Sequence, residues 1–157
     1  MERPLDRLDR AIVAALQRDG RAPNTEIARK LKVSPGTVRR RIAALTEEGV
    51  INIVAVVDPE KVGMSTVAFI HLDVDLAHLE EAAKALCQMP WVLYVAYTTG
   101  QSDLLIQAVF PNQRALAGFW KHQLAGVPGV LRSDTSIQLE VSKQSFEWPI
   151  PCGTGED

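Results

Sequence analysis

Cysteine, long apolar runs, net charge and the usual catalytic clusters are all scarce in this 157-residue chain. There are only two cysteines, Cys87 and Cys152. They have no metal-ligand spacing and no partner nearby in sequence, so no metal site is expected. Cys87 falls on an apolar helical stretch and reads as a small buried hydrophobe, and Cys152, in a Pro/Gly tail, as an exposed thiol. The longest apolar run, Val50 to Val57, is broken by Asn52 and is far too short to span a membrane. The opening "MERPLDRLDR" is charged and lacks the apolar core of a signal sequence. A cytosolic (cytoplasmic) protein with no membrane partner is the expectation. No nucleophile, paired-carboxylate site or phosphate-binding loop is visible, so neither enzymatic activity nor a cofactor is expected.

What the chain does have is an ordinary soluble mix, 46% apolar and 23% charged, without internal repeats or low-complexity tracts. Its length suits one large domain or two small ones. Two small ones would each bury a marginal core, which favours oligomerisation. The net charge of −2 hides an asymmetry. Residues 1–62 hold 12 Lys/Arg against 9 Asp/Glu, and residues 63–157 hold 5 against 10. From Arg18 to Arg41 the balance is 8 to 2, or +6. Such a concentration of positive charge hints at nucleic acid, with a solvated helical face as the plainer alternative.

Three short helices open the chain. Leu5, Leu8, Ile12 and Leu16 form one stripe, which Gly20 stops. Asn24 reads as the N-cap of a second helix carrying Ile27, Ala28 and Leu31 and ending near Val33. Ser34 caps a third, with Pro35 in the first turn, Val38, Ile42 and Leu45 inward, and Gly49 as its stop. The period then changes. "VINIVAVV" reads as a strand ending at Asp58-Pro59, followed by a link through "EKVGMS".

The remainder alternates: strand 66–73, helix 76–89 capped by Asp75, strand 92–98, the turn "TGQS", strand 103–110, helix 112–125, strand 133–141. That order is a ferredoxin-like βαββαβ unit. Leu104, Ile106, Ala108 and Phe110 alternate with Leu105, Gln107 and Val109, so both faces of one strand are largely apolar. Helices cover one face only, which points to a dimer in which sheets pack together, with larger assemblies allowed. Cover from the C-terminal "SFEWPIP" is the alternative. The tail "PIPCGTGED" reads as loose.

The second and third helices, joined by a tight turn, make a helix-turn-helix. On the third, Gly36, Arg40 and Ala43 lie opposite the buried stripe, with Thr37 and Arg39 beside them. The small residues allow close approach to a groove, and arginine offers a two-pronged donor to guanine or a charge to phosphate. The helix N-termini at Thr25 and Ser34 suit phosphate. The DNA-facing set is then Asn24, Thr25, Ser34, Pro35, Gly36, Thr37, Arg39, Arg40 and Arg41. Arg40 is the best candidate for a base contact, Arg39 the second, and Arg41 a phosphate or salt-bridge residue.

The stretches "LDRLDRAIVAALQRDGR" and "NTEIARKLKVSPGTVRRRIAALTEEGVI", followed by a βαββαβ unit containing "TTGQSDLL", resemble the Lrp/AsnC (leucine-responsive regulator/asparagine-synthase regulator) family over nearly the whole chain, to about Trp148. The most specific elements are "LD-x-x-D" opening the first helix, "EEGVI" closing the third, and the Gly-x-x-Asp turn. The resemblance implies an α+β chain: a winged-type helix-turn-helix at 1–50, a linker strand and turn at 51–63, a ferredoxin-like (RAM-type) domain at 64–148 and a flexible tail at 149–157. It implies a DNA-binding transcription regulator that forms dimers, often octamers, and in many members takes an amino acid or similar small molecule near that turn. Carried over, Gly100, Gln101, Ser102 and Asp103 would line the effector site, with Ser133 or Thr135 from the last strand. Gln101-Ser102 stands where an aromatic residue is frequent. Siroheme decarboxylases share the architecture, but His71, His78 and His122 are not gathered by spacing, and Arg114 and Arg132 are the only arginines of the acidic second half. An architectural DNA-binding protein without an effector is the other alternative.

Overall fold

The computed structural model describes residues 4–150. They gather into two units. One takes the chain up to Ala55 together with the segment from Lys143 onward, and the other spans Val56–Ser142.

The first unit holds three helices, α1 (Arg7–Arg18), α2 (Asn24–Leu31) and α3 (Pro35–Glu47). Local chemistry sets their ends. Asp6 and Asp9 form a reciprocal capping box at the start of α1. Ser34 Oγ accepts the Thr37 N–H at 3.0 Å to open α3, and Gly49, at φ +70, follows its last turn. Asn24 is not a cap as expected. Pro23 occupies that position without a side-chain hydrogen bond, and Asn24 is already the first helical residue. Lys32 leaves α2 in the left-handed conformation, which turns the chain sharply toward α3. Ile12, Val13, Ile27, Ala28, Val38 and Leu45 are the buried core.

The expected strand at Val50–Val57 does not form. The segment runs unpaired, and Ile53, Val54, Val56 and Val57 are each more than half exposed. β-Branched residues favour an extended chain, but a strand needs a neighbour for its hydrogen bonds. None of the described strands pairs with it. The helical unit accordingly has no strand of its own among the described residues, and its helix-turn-helix is trihelical with no wing.

The second unit is one antiparallel sheet of β1 (Thr66–Val74), β2 (Val92–Tyr97), β3 (Leu104–Phe110) and β4 (Val130–Ile137), ordered β2-β3-β1-β4. This is the ferredoxin-like arrangement. Helices α4 (Leu79–Cys87) and α5 (Gln113–His122) run between strands β1 and β2 and strands β3 and β4. Asp75 caps a short 3-10 turn, Leu76–His78, that leads into α4. Alternation is strict on β3, where Leu104, Ile106, Ala108 and Phe110 are fully buried. They pack with Ala68, Ile70, Leu72 and Val74 of β1, Leu86 of α4 and Phe119 of α5. On the other face of β3, Leu105, Gln107 and Val109 are half-buried. Gly129, at φ +74, makes the turn into β4, and a Cβ there would meet the His78 Cβ at 2.5 Å.

Cys87 is exposed, against expectation. It follows the buried Leu86 at the end of α4, about 100° further round the helix, and so leaves the apolar stripe. Cys152 and residues 151–157 of the expected loose tail lie outside the described residues.

Candidate DNA-recognition face and effector concavity

Helix α3 presents Gly36, Arg39, Arg40 and Ala43 on one exposed face, opposite the buried Val38 and Leu45. Arg39 and Arg40 make no ion pair among the described residues. Ser34, Pro35 and Thr25 are exposed at the starts of α3 and α2. Thr37 is half-buried, with Oγ1 2.9 Å from Ser34 Oγ. These N-terminal turns carry backbone N–H groups that no intrahelical carbonyl can reach, and the helix dipole adds to their attraction for phosphate.

Arg41 is placed differently. Its Nη1 donates to Asp6 Oδ2 at 2.6 Å and to Asp9 Oδ1 at 3.0 Å. The Asp9 side chain is fully buried. The two carboxylates of "LDRLD" therefore cap α1 and at the same time hold α3 through Arg41. Hydrogen bonds to Asp6 and then Asp9 raise the Arg41 pKa still further. The Asp9 N–H, with Arg41 behind it, holds the Asp6 carboxyl below its ordinary 3.8. Of the three consecutive arginines, two face solvent and one ties two helices together.

In the second unit, the turn between β2 and β3 closes on itself. Thr98 Oγ1 donates to the Ser102 carbonyl at 2.7 Å, and the Thr98 N–H to the Asp103 carbonyl at 2.9 Å. Gly100 sits at φ +113, a region that a side chain would strain. The turn borders a concavity of about 340 Å³ lined by His71, Asp73, Thr98, Thr99, Gln101, Ser102, Arg132 and Asp134. The strand register explains this gathering. His71 lies opposite Asp134, and Asp73 opposite Arg132, all on the sheet face away from Ile70 and Leu72. His71 Nδ1 is 3.2 Å from Ser102 Oγ. Arg132, Asp73 and Asp134 form no ion pair among the described residues. A guanidinium beside two carboxylates and hydroxyls can hold a carboxylate and an ammonium together.

Of the effector residues expected from sequence, Gln101 and Ser102 line this concavity and Gly100 shapes its rim. Asp103 faces elsewhere: its Oδ2 accepts the Val74 N–H at 2.8 Å, tying the turn to the end of β1. Ser133 and Thr135 pair with Leu72 and Ile70 on the helix-covered side of the sheet. There Ser133 Oγ accepts the Trp120 Nε1–H at 2.9 Å. The parity of β4 is the reason, because Arg132 and Asp134 alternate with Ser133 and Thr135. Sequence reasoning missed His71, Asp73, Thr98, Thr99, Arg132 and Asp134. The one available signal was charged Arg132 and Asp134 recurring at a spacing of two on a strand.

Two family models match the chain: the AsnC-type helix-turn-helix domain over residues 5–46 and the Lrp/AsnC ligand binding domain over residues 67–148. Among curated relatives, the HTH-type transcriptional regulator FL11 of Pyrococcus horikoshii is 36% identical over 151 residues, covering 96% of this chain and 99% of that protein. FL11 of Pyrococcus furiosus is 34% identical, covering 93% and 97%. Among solved structures, the transcriptional regulator NMB0573 of Neisseria meningitidis in complex with L-Met superposes with a TM-score of 0.85 at 30% identity, over 93% of this chain and 97% of that one. E. coli AsnC gives 0.85 at 24% identity over 94% and 100%, a likeness of fold.

Proposed function

The chain belongs to the Lrp/AsnC family of transcriptional regulators, and on that premise we propose that α3 reads DNA with Arg40 and Arg39 and that the concavity beside the Thr98–Asp103 turn takes a free amino acid. The exposure of Arg39 and Arg40 on a face with only small neighbours carries the first part. Arg40 is the first candidate for a base edge and Arg39 the second, while the first turns of α2 and α3, from Asn24, Thr25 and Ser34 to Thr37, meet phosphate. Arg41 serves DNA binding indirectly, by fixing α3 to α1.

In the concavity, Arg132 suits the carboxylate of the effector, and Asp73 or Asp134 its ammonium. The complex of the Neisseria regulator with L-Met supports an amino acid as the class. Residues 1–50 then form the DNA-binding part and 64–148 the effector-binding and assembly part, linked through 51–63. The protein works in the cytoplasm as a dimer or larger homo-oligomer. The half-buried Phe69, Leu105 and Val109, on the sheet face without helices, support such an assembly.

Fluorescence anisotropy on DNA from upstream of its own gene, against scrambled DNA at two salt concentrations, tests the reading. Preference for the upstream duplex at the higher salt is the expected result. Salt-sensitive binding without preference would leave an architectural role. A panel of the twenty amino acids is then added to wild type and to Arg132→Ala. The response to at least one amino acid is expected in wild type and lost in the variant. A response that survives Arg132→Ala removes the site assignment.

A further inference from the structure

The segment after β4 is built into the helical unit. Gln17, on α1, addresses the main chain of Trp148 from both sides: its Nε2 donates to the Trp148 carbonyl at 3.2 Å, and its Oε1 accepts the Trp148 N–H. Ile150 packs against the core formed by Ile12, Val13 and their neighbours. There the segment borders a groove along α1 that Arg10, Ala11, Ala14, Gln17 and Arg18 line together with Glu147 of the segment. These α1 positions recur at spacings of one, three and four, so they form one face, and it lies opposite Ile12 and Leu16. The alanines let a backbone come close. Pro149 biases Trp148 away from helical backbone, which lowers the ordering cost of docking. The Trp148 ring stays 80% exposed, so the attachment is through main chain and Ile150 rather than the indole.

We propose that Lys143–Ile150 is a working strap of the DNA-binding unit, clasped by Gln17, that holds α1 and through it the Arg41 clamp on α3. Among the described residues the core of this unit buries six side chains, and the strap adds Ile150 at its edge and a main-chain hold on Gln17. The strap is also the continuation of β4, the strand that carries Arg132 and Asp134. A shift of β4 therefore has a covalent route to α1 that does not use residues 51–63. This last consequence rests on the reading of the concavity given above, whereas the docking does not.

Amide hydrogen exchange on the full-length protein tests the docking, with binding to a random-sequence duplex at low salt as the functional readout. In wild type the strap amides should exchange roughly tenfold or more slower than in a free peptide of the same sequence. Trp148→Pro removes the N–H that Gln17 accepts without altering a helix, and Trp148→Ala keeps both backbone bonds. Trp148→Pro is expected to erase strap protection, quicken exchange along α1 and weaken DNA binding by about fivefold or more. Gln17→Ala should do the same, and Trp148→Ala should match wild type within about twofold on every readout. The proposal is overturned if the wild-type strap is unprotected, if Trp148→Pro and Trp148→Ala behave alike, or if release of the strap leaves α1 and DNA binding unchanged. These outcomes do not depend on any amino acid binding the concavity, so failure here and failure of the effector reading are separable.

Discussion

The two units solve the same problem with different means. The sheet unit buries fifteen apolar side chains in one cluster, from Ala68 to Val127. Among the described residues, the helical unit buries six. A small core leaves less hydrophobic stabilisation to offset chain entropy. The helical unit makes up the difference with directional polar contacts: the Asp6/Asp9 box, Arg41 across to both carboxylates, Ser34 at the α3 cap, and Gln17 on the strap. The sheet unit has such ties as well, among them Asp103 on the Val74 N–H and Trp120 on Ser133, but among the described residues it has no ion pair that joins distant parts of the chain as Arg41 does. Apolar packing stabilises without direction, whereas polar clamps also fix geometry. On the function proposed above, the unit that presents arginines to a groove is the one held by clamps.

This contrast makes the two units respond to different insults. The largest effect is expected from Phe110→Ala. Phe110 is fully buried and its ring lies 5.2 Å from that of Phe119 and 5.7 Å from that of Trp91. Its loss should cost about 3–5 kcal/mol, read as a lower denaturation midpoint of the sheet unit. An equal loss of protection in the helices would break the contrast between the units.

Arg40→Ala comes next. It should weaken specific DNA binding by roughly 1–3 kcal/mol while leaving thermal stability unchanged. Equal loss on scrambled DNA would assign Arg40 to phosphate.

Asp6→Ala should have the smallest effect, about 1 kcal/mol on the helical unit alone. It also sharpens the comparison through pH. The folded Asp6 carboxyl lies below its ordinary 3.8, so its contribution is fully present above that value and is lost as the pH falls through the lowered one. Wild-type helices should therefore melt more easily as the pH drops below about 4, and Asp6→Ala should flatten that part of the dependence. Circular dichroism melts at stepped pH measure both.

Local signals were legible in the sequence and long-range pairings were not. Ser34-Pro35, Gly49 and Asp75 act within one helical turn, and each sits at or next to the helix end that its chemistry predicts. Asn24 misled because the backbone of Pro23 already serves as the cap. Val50–Val57 misled because composition reports a willingness to extend and not the presence of a neighbour. The candidate site was half visible. Its turn could be read from Gly100 and Asp103, but the side that β4 shows to the concavity depends on its register against β1, which no local pattern gives. Arg41 takes the salt-bridge role that was one of its two expected ones, and Asp103, expected in the effector site from the Gly-x-x-Asp turn, accepts the Val74 N–H. The strap joins residues 131 positions apart, beyond the reach of any periodicity.

The clasp between Gln17 and Trp148 has an evolutionary consequence. An amide that grips only N–H and C=O places no demand on the side chain between them, so that position is free to drift while the helix position is not. Regulators built this way should show a constrained glutamine on α1 facing a tail whose letters look arbitrary, and a comparison of sequences alone would discard that tail as noise.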